Sequence, residues 1–285
     1  MSTIHLIDCP RDAIQGIASF IPTETKVAYM QAALDSQLFS VLDFGSFVSP
    51  TAVPQMADTA AVLAGLDLGR TSTELLAIVA NPRGVTQALA FPEIAWVGYP
   101  FSVSETFQQR NARASREDSL DVVAQALSLA HTHDRRVRVY LSMGFGNPYG
   151  DDWSEDLVVD YIGVLAARGA THFALSDTTG EATPVGVEQL FRRVGAAFPS
   201  LTFSAHLHAT PSDWSAKVEA AYAAGCRIFD GAMLGYGGCP FAQDSLVGNV
   251  PTEGLIARFF PEKAASISTL QTNFQSLITS HVPIP

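Results

Sequence analysis

Two histidines, His206 and His208, carry the clearest chemical signal in the sequence, because they directly follow the apolar run 201–205. If that run is a β-strand, residues two apart point to the same side, so both imidazoles share one face. Two neighbouring imidazoles can occupy adjacent positions around a divalent metal ion. An isolated pair of this spacing more often has one histidine in the core and the other in solvent, so the decision depends on the polar residues at the other strand ends.

Polar side chains do follow or end the other predicted strands. They are Arg11 and Asp12, Asp43, Asn81, Ser102 and Glu105, Ser142, Asp177 and, beyond the last strand, Asn249. Any one of these could be a turn or cap residue, but together at one end of one fold they favour a site. Asp12, His206, His208 and Asn249 offer two oxygen and two nitrogen donors. A ligand set without sulfur suits Mg²⁺ or Mn²⁺, with Zn²⁺ as a further candidate.

A cysteine, Cys239, follows two glycines in the stretch 235–240, which reads Gly-Tyr-Gly-Gly-Cys-Pro. A glycine-rich loop can carry a thiol over a bound substrate. The alternative is a small buried hydrophobic residue. The glycines and the lack of apolar periodicity around Cys239 favour the chemical role.

Short apolar runs alternate with longer amphipathic stretches along the chain. Strands are predicted over 4–8, 39–44, 74–79, 94–99, 138–142, 172–175, 201–205 and 227–229, and helices over 23–36, 115–131, 154–168, 184–197 and 212–224. The alternation predicts an α/β fold, a single (β/α)8 TIM barrel over 1–285 with its active site at the C-terminal ends of the strands. An open doubly wound sheet is the rival, although it would not usually need eight evenly spaced strands. The segment from about 262 is weakly patterned apart from one helix.

The net charge of −11, with only three lysines, argues against a nucleic-acid partner. The apolar stretches are too short to predict a membrane span. Three cysteines in 285 residues fit free thiols in a reducing cytoplasm better than a disulfide framework.

An anionic substrate would need local positive charge on such an acidic protein. Arg11 and Arg83 are candidates, as are the spaced Arg110, Arg113 and Arg116. The spacing of those last three, taken alone, favours a solvated helix start.

Together these motifs resemble the 3-hydroxy-3-methylglutaryl-CoA lyase family of metal-dependent lyases and Claisen-type enzymes. The resemblance extends from about residue 10 to about residue 255. Its motifs are Pro-Arg-Asp-x-x-Gln at 10–15, Ser-Phe-Val-Ser-Pro at 46–50 with Val-Pro-Gln-Met at 53–56, Asp-Thr-x-Gly at 177–180, His-x-His at 206–208, Gly-Gly-Cys-Pro-x-Ala at 237–242 and Gly-Asn-x-x-Thr-Glu at 248–253. The Gly-Gly-Cys-Pro loop is the most specific of them.

The resemblance implies an enzyme that cleaves a carbon–carbon bond in a 3-hydroxyacyl-CoA, such as 3-hydroxy-3-methylglutaryl-CoA, to acetyl-CoA and a keto acid. It implies a metal held by the four ligands named above, an Arg11 that neutralises the enolate oxygen, and a Cys239 that transfers a proton. It adds a homodimer. We expect further catalytic roles for His206, Asp43 and Asp177, and substrate contacts from the set Gln15, Asn81, Arg83 and Ser142.

The sequence departs from the family pattern around this core. The family's Arg-Asp-Gly-Leu-Gln-Asn-Glu reads Arg-Asp-Ala-Ile-Gln-Gly-Ile from position 11, with Ala13 and Gly16. Asp43 replaces a glutamate, Ala209 an aspartate that commonly follows His-x-His, and Asn147 a cysteine. The reaction type therefore follows from the resemblance more directly than the substrate does.

Two other functions stay open on the sequence. A metal-dependent aldolase or lyase of a hydroxy acid or hydroxy-keto acid without CoA would suit the scarcity of lysine, because CoA phosphates favour basic surroundings. A catalytically silent barrel acting as a binding protein would not need the complete set of ligands, arginine and loop cysteine.

Overall fold

A computed structural model describes residues 3–238 and 247–279. In these residues eight parallel strands form a closed barrel in sequence order, and β1 pairs with both β2 and β8. The closure confirms the (β/α)8 prediction and excludes the open sheet. The strands are β1 His5–Asp8, β2 Val41–Ser46, β3 Glu74–Ile78, β4 Ile94–Ser102, β5 Arg136–Ser142, β6 His172–Asp177, β7 Thr202–Leu207 and β8 Ile228–Gly231.

Helices connect the strands and surround the barrel. They are α1 Pro10–Ile14, α2 Thr23–Ser36, α3 Thr59–Ala64, α4 Pro82–Leu89, α5 Glu105–Ala112, α6 Arg116–Thr132, α7 Glu155–Ala167, α8 Pro184–Ala197, α9 Trp214–Ala223, α10 Thr252–Phe259 and α11 Ala265–Thr279. Short 3-10 helices cover Pro54–Met56, Met233–Gly235 and Pro261–Lys263. Within the described ranges, no helix combines the length and apolar character needed to cross a bilayer.

Local signals set the ends of the long helices. The Ser115 hydroxyl accepts from the backbone of Asp118, whose carboxylate in turn accepts from the Ser115 N–H, so α6 begins with a capping box. Pro184 occupies the first turn of α8, where its missing N–H costs nothing. Gly169 and Gly225 follow α7 and α9 with φ of 101°, a left-handed conformation that glycine adopts without strain.

The segment after residue 262 contains α11, which packs on α2. The rings of Phe274 and Tyr29 meet edge to face at 5.1 Å, and Phe274 also meets Tyr236 at 5.7 Å. Because Tyr236 lies just after β8, this last described helix supports the loop region next to the site.

Strand ends differ from the prediction where the chain stays extended beyond its apolar run. β2 continues through Gly45 to Ser46, with a register shift against β3 after Asp43. A Cβ at position 45 would lie 2.4 Å from Thr59, so only glycine fits there. The prediction that Asp43 ends β2 is therefore wrong, and its side chain lies inside the barrel. His206 likewise lies within β7.

The interior of the barrel is partly polar. An apolar cluster that includes Ile7, Leu76 and Tyr140 shares it with the buried charged residues Arg138 and Asp230. TIM-barrel interiors are usually filled by branched aliphatic side chains, so the buried ion pair of Arg138 and Asp230 is unusual for this fold.

Candidate active site

The site begins with α1, a five-residue helix that starts two residues after β1. Three of its side chains form one network: Arg11 Nη1 donates to Asp12 Oδ1 at 3.1 Å and to Gln15 Oε1 at 3.0 Å. Gln15 Nε2 donates to the same Asp12 oxygen at 2.7 Å. The motif that the sequence singled out therefore acts as a unit, and it presents Asp12 to the top of the barrel.

Asp43 holds the other side of the Arg11 guanidinium. Arg11 Nε donates to Asp43 Oδ1 at 3.2 Å and Nη2 to Oδ2 at 2.5 Å, a bidentate arrangement between two buried groups. Burial raises the pKa of Asp43, and the charge of Arg11 only partly offsets that rise. Burial alone would lower the pKa of Arg11, but the charges of Asp43 and Asp12 outweigh burial and raise the pKa overall. The guanidinium therefore stays charged.

The two histidines stand side by side, with ring centroids 5.5 Å apart. His206 Nδ1 lies 2.9 Å from Asp230 Oδ2, and His208 Nδ1 lies 2.9 Å from the carbonyl oxygen of Thr178. A carbonyl oxygen can only accept, so His208 Nδ1 carries a hydrogen, and Nε2 holds a lone pair when the ring is neutral. That Nε2 is buried without a hydrogen-bond partner in the part of the chain that the structure describes, 3.8 Å from Asp12 Oδ2.

These observations fit a metal ion. Asp12, His206 and His208 each offer a ligand atom within 4.8 Å of the others. Asn249, paired with His208 in an antiparallel bridge, donates Nδ2 to Asp12 Oδ2 at 2.8 Å and to Tyr236 O at 2.9 Å. Both hydrogens of the amide nitrogen are used, so Oδ1 is the side-chain atom of Asn249 that is left to bind a metal ion. A buried nitrogen without a partner is costly, and a metal ion would relieve that cost.

Asp12 is suited to be the anionic ligand. Burial alone would raise the pKa of its carboxyl, but the interaction with His208 and the charge of Arg11 outweigh burial and hold the pKa well below its usual range. The carboxylate therefore stays ionised throughout the physiological pH range.

A cavity of about 280 Å³ opens beside this group. Arg11, Asp12, both histidines and three of the four predicted substrate contacts, Gln15, Asn81 and Ser142, line it. The Asn81 oxygen accepts from Gly84 N at 2.9 Å and caps α4, so part of its polar capacity is already used. Arg83 is exposed and is not among the lining residues, whereas the exposed Arg113 is.

Asp177 lies at the end of β6 but not among the cavity-lining residues. Lys217 Nζ donates to its Oδ2 at 3.0 Å and to the carbonyl of His208 at 3.0 Å. Burial raises the pKa of Asp177, with Lys217 partly offsetting the rise. The geometry is that of a support under the His208 backbone, which differs from the direct role in catalysis expected from the sequence.

Cys239 lies outside the described residues. The preceding Gly237 has φ of 97°, and a Cβ there would lie 2.7 Å from the Asp12 backbone oxygen and 2.9 Å from Asn249 Nδ2. The chain leading to Cys239 therefore passes against the metal-ligand group.

The sequence interpretation missed three residues that hold the site from behind. Asp230 and Arg138 lie inside the barrel, and Lys217 is a lysine of α9 that is only 1% exposed. The available signal was a charged residue in an apolar strand. Asp230 was missed because the predicted β8 ended at 229 and left it in a loop, whereas Arg138 began the predicted β5.

The comparisons with known proteins identify the family of this chain. The HMGL-like family model matches residues 4–280. Hydroxymethylglutaryl-CoA lyase of Bacillus subtilis is 33% identical over 247 residues, which cover 87% of this chain and 81% of that protein. A 3-hydroxy-3-isohexenylglutaryl-CoA/hydroxy-methylglutaryl-CoA lyase of Pseudomonas aeruginosa is 32% identical with the same coverage of both chains.

Solved structures give the same result. An HMG-CoA lyase from Acinetobacter baumannii, in complex with coenzyme A and 3-methylmalate, superposes with a TM-score of 0.88 at 26% identity, covering 99% of this chain and 98% of that one. The HMG-CoA lyase structure from Bacillus subtilis gives 0.90 at 27% identity, covering 100% and 96%. The barrel and these matches confirm the resemblance, and the chain belongs to the HMGL-like family.

Proposed function

We propose that this protein is a divalent-metal-dependent lyase that cleaves a 3-hydroxyacyl-CoA, such as 3-hydroxy-3-methylglutaryl-CoA, to acetyl-CoA and a keto acid. The observation that carries the proposal is the convergence of Asp12, His206, His208 and the paired Arg11 at one cavity. The names of the matching relatives support the same substrate class.

Asp12, His206, His208 and Asn249 would hold the ion, and this oxygen and nitrogen set favours Mg²⁺ or Mn²⁺, with Zn²⁺ as a further candidate. Such an ion lowers the pKa of a hydroxyl group bound to it. That is what the reaction needs, because the tertiary hydroxyl must lose its proton before the adjacent carbon–carbon bond breaks.

Arg11 is proposed to meet the charge that this cleavage produces. When the carbon–carbon bond breaks, its electron pair moves onto the thioester, and negative charge collects on the enolate oxygen. Arg11 is already fixed by Asp43 and Asp12, so its remaining donor capacity needs no reorganisation during the reaction.

The enolate carbon must finally accept a proton to become the methyl group of acetyl-CoA. We propose Cys239 for this transfer, because it comes two residues after Gly237, which lies against Asp12 and Asn249, and because general acid catalysis suits a positioned thiol. Asp43 would act by orienting Arg11, and Asp177 by supporting His208.

Coenzyme A is proposed as part of the substrate, since the Acinetobacter baumannii lyase was solved with coenzyme A bound. The exposed Arg113 at the cavity is the positive charge available here for its phosphates. We also propose a single domain over 1–285 and a cytoplasmic location, as in the relatives from rat and mouse that are named cytoplasmic. The homodimer stays a prediction that light scattering can check.

A turnover screen tests the proposal. Several 3-hydroxyacyl-CoA thioesters and the corresponding free hydroxy acids are incubated with enzyme supplemented with Mg²⁺, Mn²⁺ or Zn²⁺, and acetyl-CoA and keto acid are measured. We expect metal-dependent release of acetyl-CoA from the thioesters alone. Turnover of the free acids alone would favour the aldolase alternative, and no turnover with any substrate would favour a binding protein.

A further inference from the structure

The imidazole of His206 is backed by a buried ionic network inside the barrel. Asp230 Oδ2 lies 2.9 Å from His206 Nδ1, and Arg138 Nη2 donates to Asp230 Oδ1 at 2.6 Å. Arg138 also donates to Ser204 Oγ at 2.6 Å and to the Tyr140 hydroxyl at 3.1 Å. All five side chains are buried, so the network is shielded from water.

Strand periodicity assembles this network. Ser204 and His206 are two residues apart on β7, and Arg138 and Tyr140 are two residues apart on β5, so each pair points to the barrel interior. β8 lies next to β7, and its Asp230 contacts both His206 of β7 and Arg138 of β5. The edge of the Tyr140 ring also meets His206, with centroids 5.2 Å apart.

The pair Arg138–Asp230 is a poor stability device. Desolvating two charges costs several kcal/mol, and apolar residues of similar volume often replace a buried pair without loss of stability. The pair lies directly under a proposed metal ligand, and Asp230 divides its two oxygens between Arg138 and His206. Its arrangement is therefore accounted for by what it does to His206.

The chemistry of that contact is specific. Arg138 Nη2 donates to Asp230 Oδ1 at 2.6 Å in a buried ion pair, which favours the ionised carboxylate, and a carboxylate can only accept. His206 Nδ1 must then donate, and Nε2 keeps its lone pair on the other side of the ring. A carboxylate partner at Nδ1 also makes Nε2 a stronger electron donor to a metal ion. The neutral carbonyl of Thr178 at Nδ1 of His208 has a weaker effect.

We propose that Asp230, held by Arg138, is the positioning residue of His206: it fixes the tautomer and the orientation of the ring so that Nε2 faces the metal site. The inference rests on the proposed metal site but not on the identity of the substrate. It assigns a role to two barrel-interior residues that do not line the catalytic cavity.

Asp230 has an alternative role that the geometry disfavours. Cys9, His206 and Asp230 also offer ligand atoms within 4.8 Å of one another. A cation among them would face Arg138 only 2.6 Å from the carboxylate.

The test compares Asp230→Asn with Asp8→Asn. Asp8 is another fully buried carboxylate, on the adjacent β1, but it bonds to Tyr29 and Thr252 rather than to a metal ligand. Mn²⁺ affinity is measured by electron paramagnetic resonance. We expect Asp230→Asn to bind Mn²⁺ about 10–100-fold more weakly than the unsubstituted protein, as loss of such partners usually does, and Asp8→Asn to stay within about twofold.

A second readout uses the metal-free protein. Nitrogen-15 NMR of the histidine rings should show the Nδ1–H tautomer at both His206 and His208, and Asp230→Asn should lose it at His206 alone. Because Asp230→Asn leaves Arg138 unpaired and can unfold the chain, Asp230→Asn is also combined with Arg138→Met, which removes both charges. Mn²⁺ affinity within twofold of the unsubstituted protein, with the His206 tautomer unchanged, in either folded variant would overturn the proposal. Neither readout needs turnover, so failure of the proposed lyase activity would be seen separately.

Discussion

Asp43 binds Arg11 through two parallel hydrogen bonds, from Nε at 3.2 Å and from Nη2 at 2.5 Å. The carboxylate thereby fixes the plane of the guanidinium, and the third nitrogen, Nη1, is directed to Asp12 and Gln15. Asp43 is one methylene shorter than the glutamate of the family pattern. Asp43 lies inside β2, directly before the register shift against β3, and its short side chain reaches Arg11 from there.

Arg11→Lys is expected to keep the fold and lose activity. An ammonium cannot reproduce the planar fork that meets Asp43 and the developing enolate together, so kcat should fall by about 10²–10³-fold. Steady-state kinetics with the substrate found in the screen provides the measurement, and circular dichroism checks the fold. Arg192→Lys, on the exposed face of α8, is the matched control and should stay within about twofold. Turnover of Arg11→Lys within a fewfold of the unsubstituted enzyme would remove Arg11 from the mechanism.

Replacing either His206 or His208 with alanine should abolish metal retention and turnover, because each supplies one of four proposed ligands. Elemental analysis after gel filtration is the measurement. His172→Ala is the control, since His172 begins β6 at the opposite end of the barrel, against Trp96. Unchanged metal content in both alanine variants would refute the site.

Rapid alkylation should label one thiol, Cys239, and substrate should protect it. Cys9 and Cys226 are buried, and burial raises the pKa of the Cys226 thiol to about 12, so both should react slowly. Cys239→Ser should fold and bind metal but lose about 10²–10⁴-fold in turnover, whereas Cys226→Ser should stay active. A fully active Cys239→Ser enzyme would contradict the proton-transfer role.

Asp8 should make the protein less stable as pH rises from about 4 to about 7. Burial raises the pKa of its carboxyl from 3.8 to about 7, against the opposing hydrogen bonds from Tyr29 and Thr252 and with the like charges of Glu253 and Asp43 adding to the rise. The folded state then holds a proton that the unfolded chain has already released, so stability falls across this interval and is constant above it.

Asp8→Asn lacks this titration. Its free energy of unfolding, relative to that of the unsubstituted protein, should therefore rise by up to roughly 4 kcal/mol between pH 4 and pH 7. Urea titrations at several pH values measure the difference. Asp160→Asn, at an exposed position of α7, should follow the unsubstituted protein at every pH. A constant difference between Asp8→Asn and the unsubstituted protein would show that Asp8 is ionised in the fold.

Local patterns were enough to predict the barrel and the histidine pair. The His206 and His208 spacing, the Ser115 cap and the amphipathic helices each depend on residues close in sequence. The short helices, such as α1 and α10, went unpredicted because one or two turns leave little periodicity to detect. Their positions are set by packing against the barrel.

The support behind the site was not predictable in this way. Arg138 and Asp230 are 92 residues apart and Lys217 and Asp177 are 40 apart, so each pair forms only in the folded barrel. A single charged letter in an apolar run indicates a partner without identifying it. The sequence could not show that Arg83 lies outside the cavity for a similar reason. The direction of its side chain depends on how α4 packs against α6 and β4.

Asp12 and Asn249 meet although 237 positions separate them along the chain. During synthesis Asp12 leaves the ribosome 237 residues before Asn249, so a growing chain lacks one of the four proposed ligands until Asn249 has been added. With the proposed ligands, tight metal binding requires Asn249 to have been synthesised, and a chain truncated before it is expected to bind the ion weakly. The contact between Asp12 and Asn249 thus couples metal uptake to the folding together of distant parts of the chain.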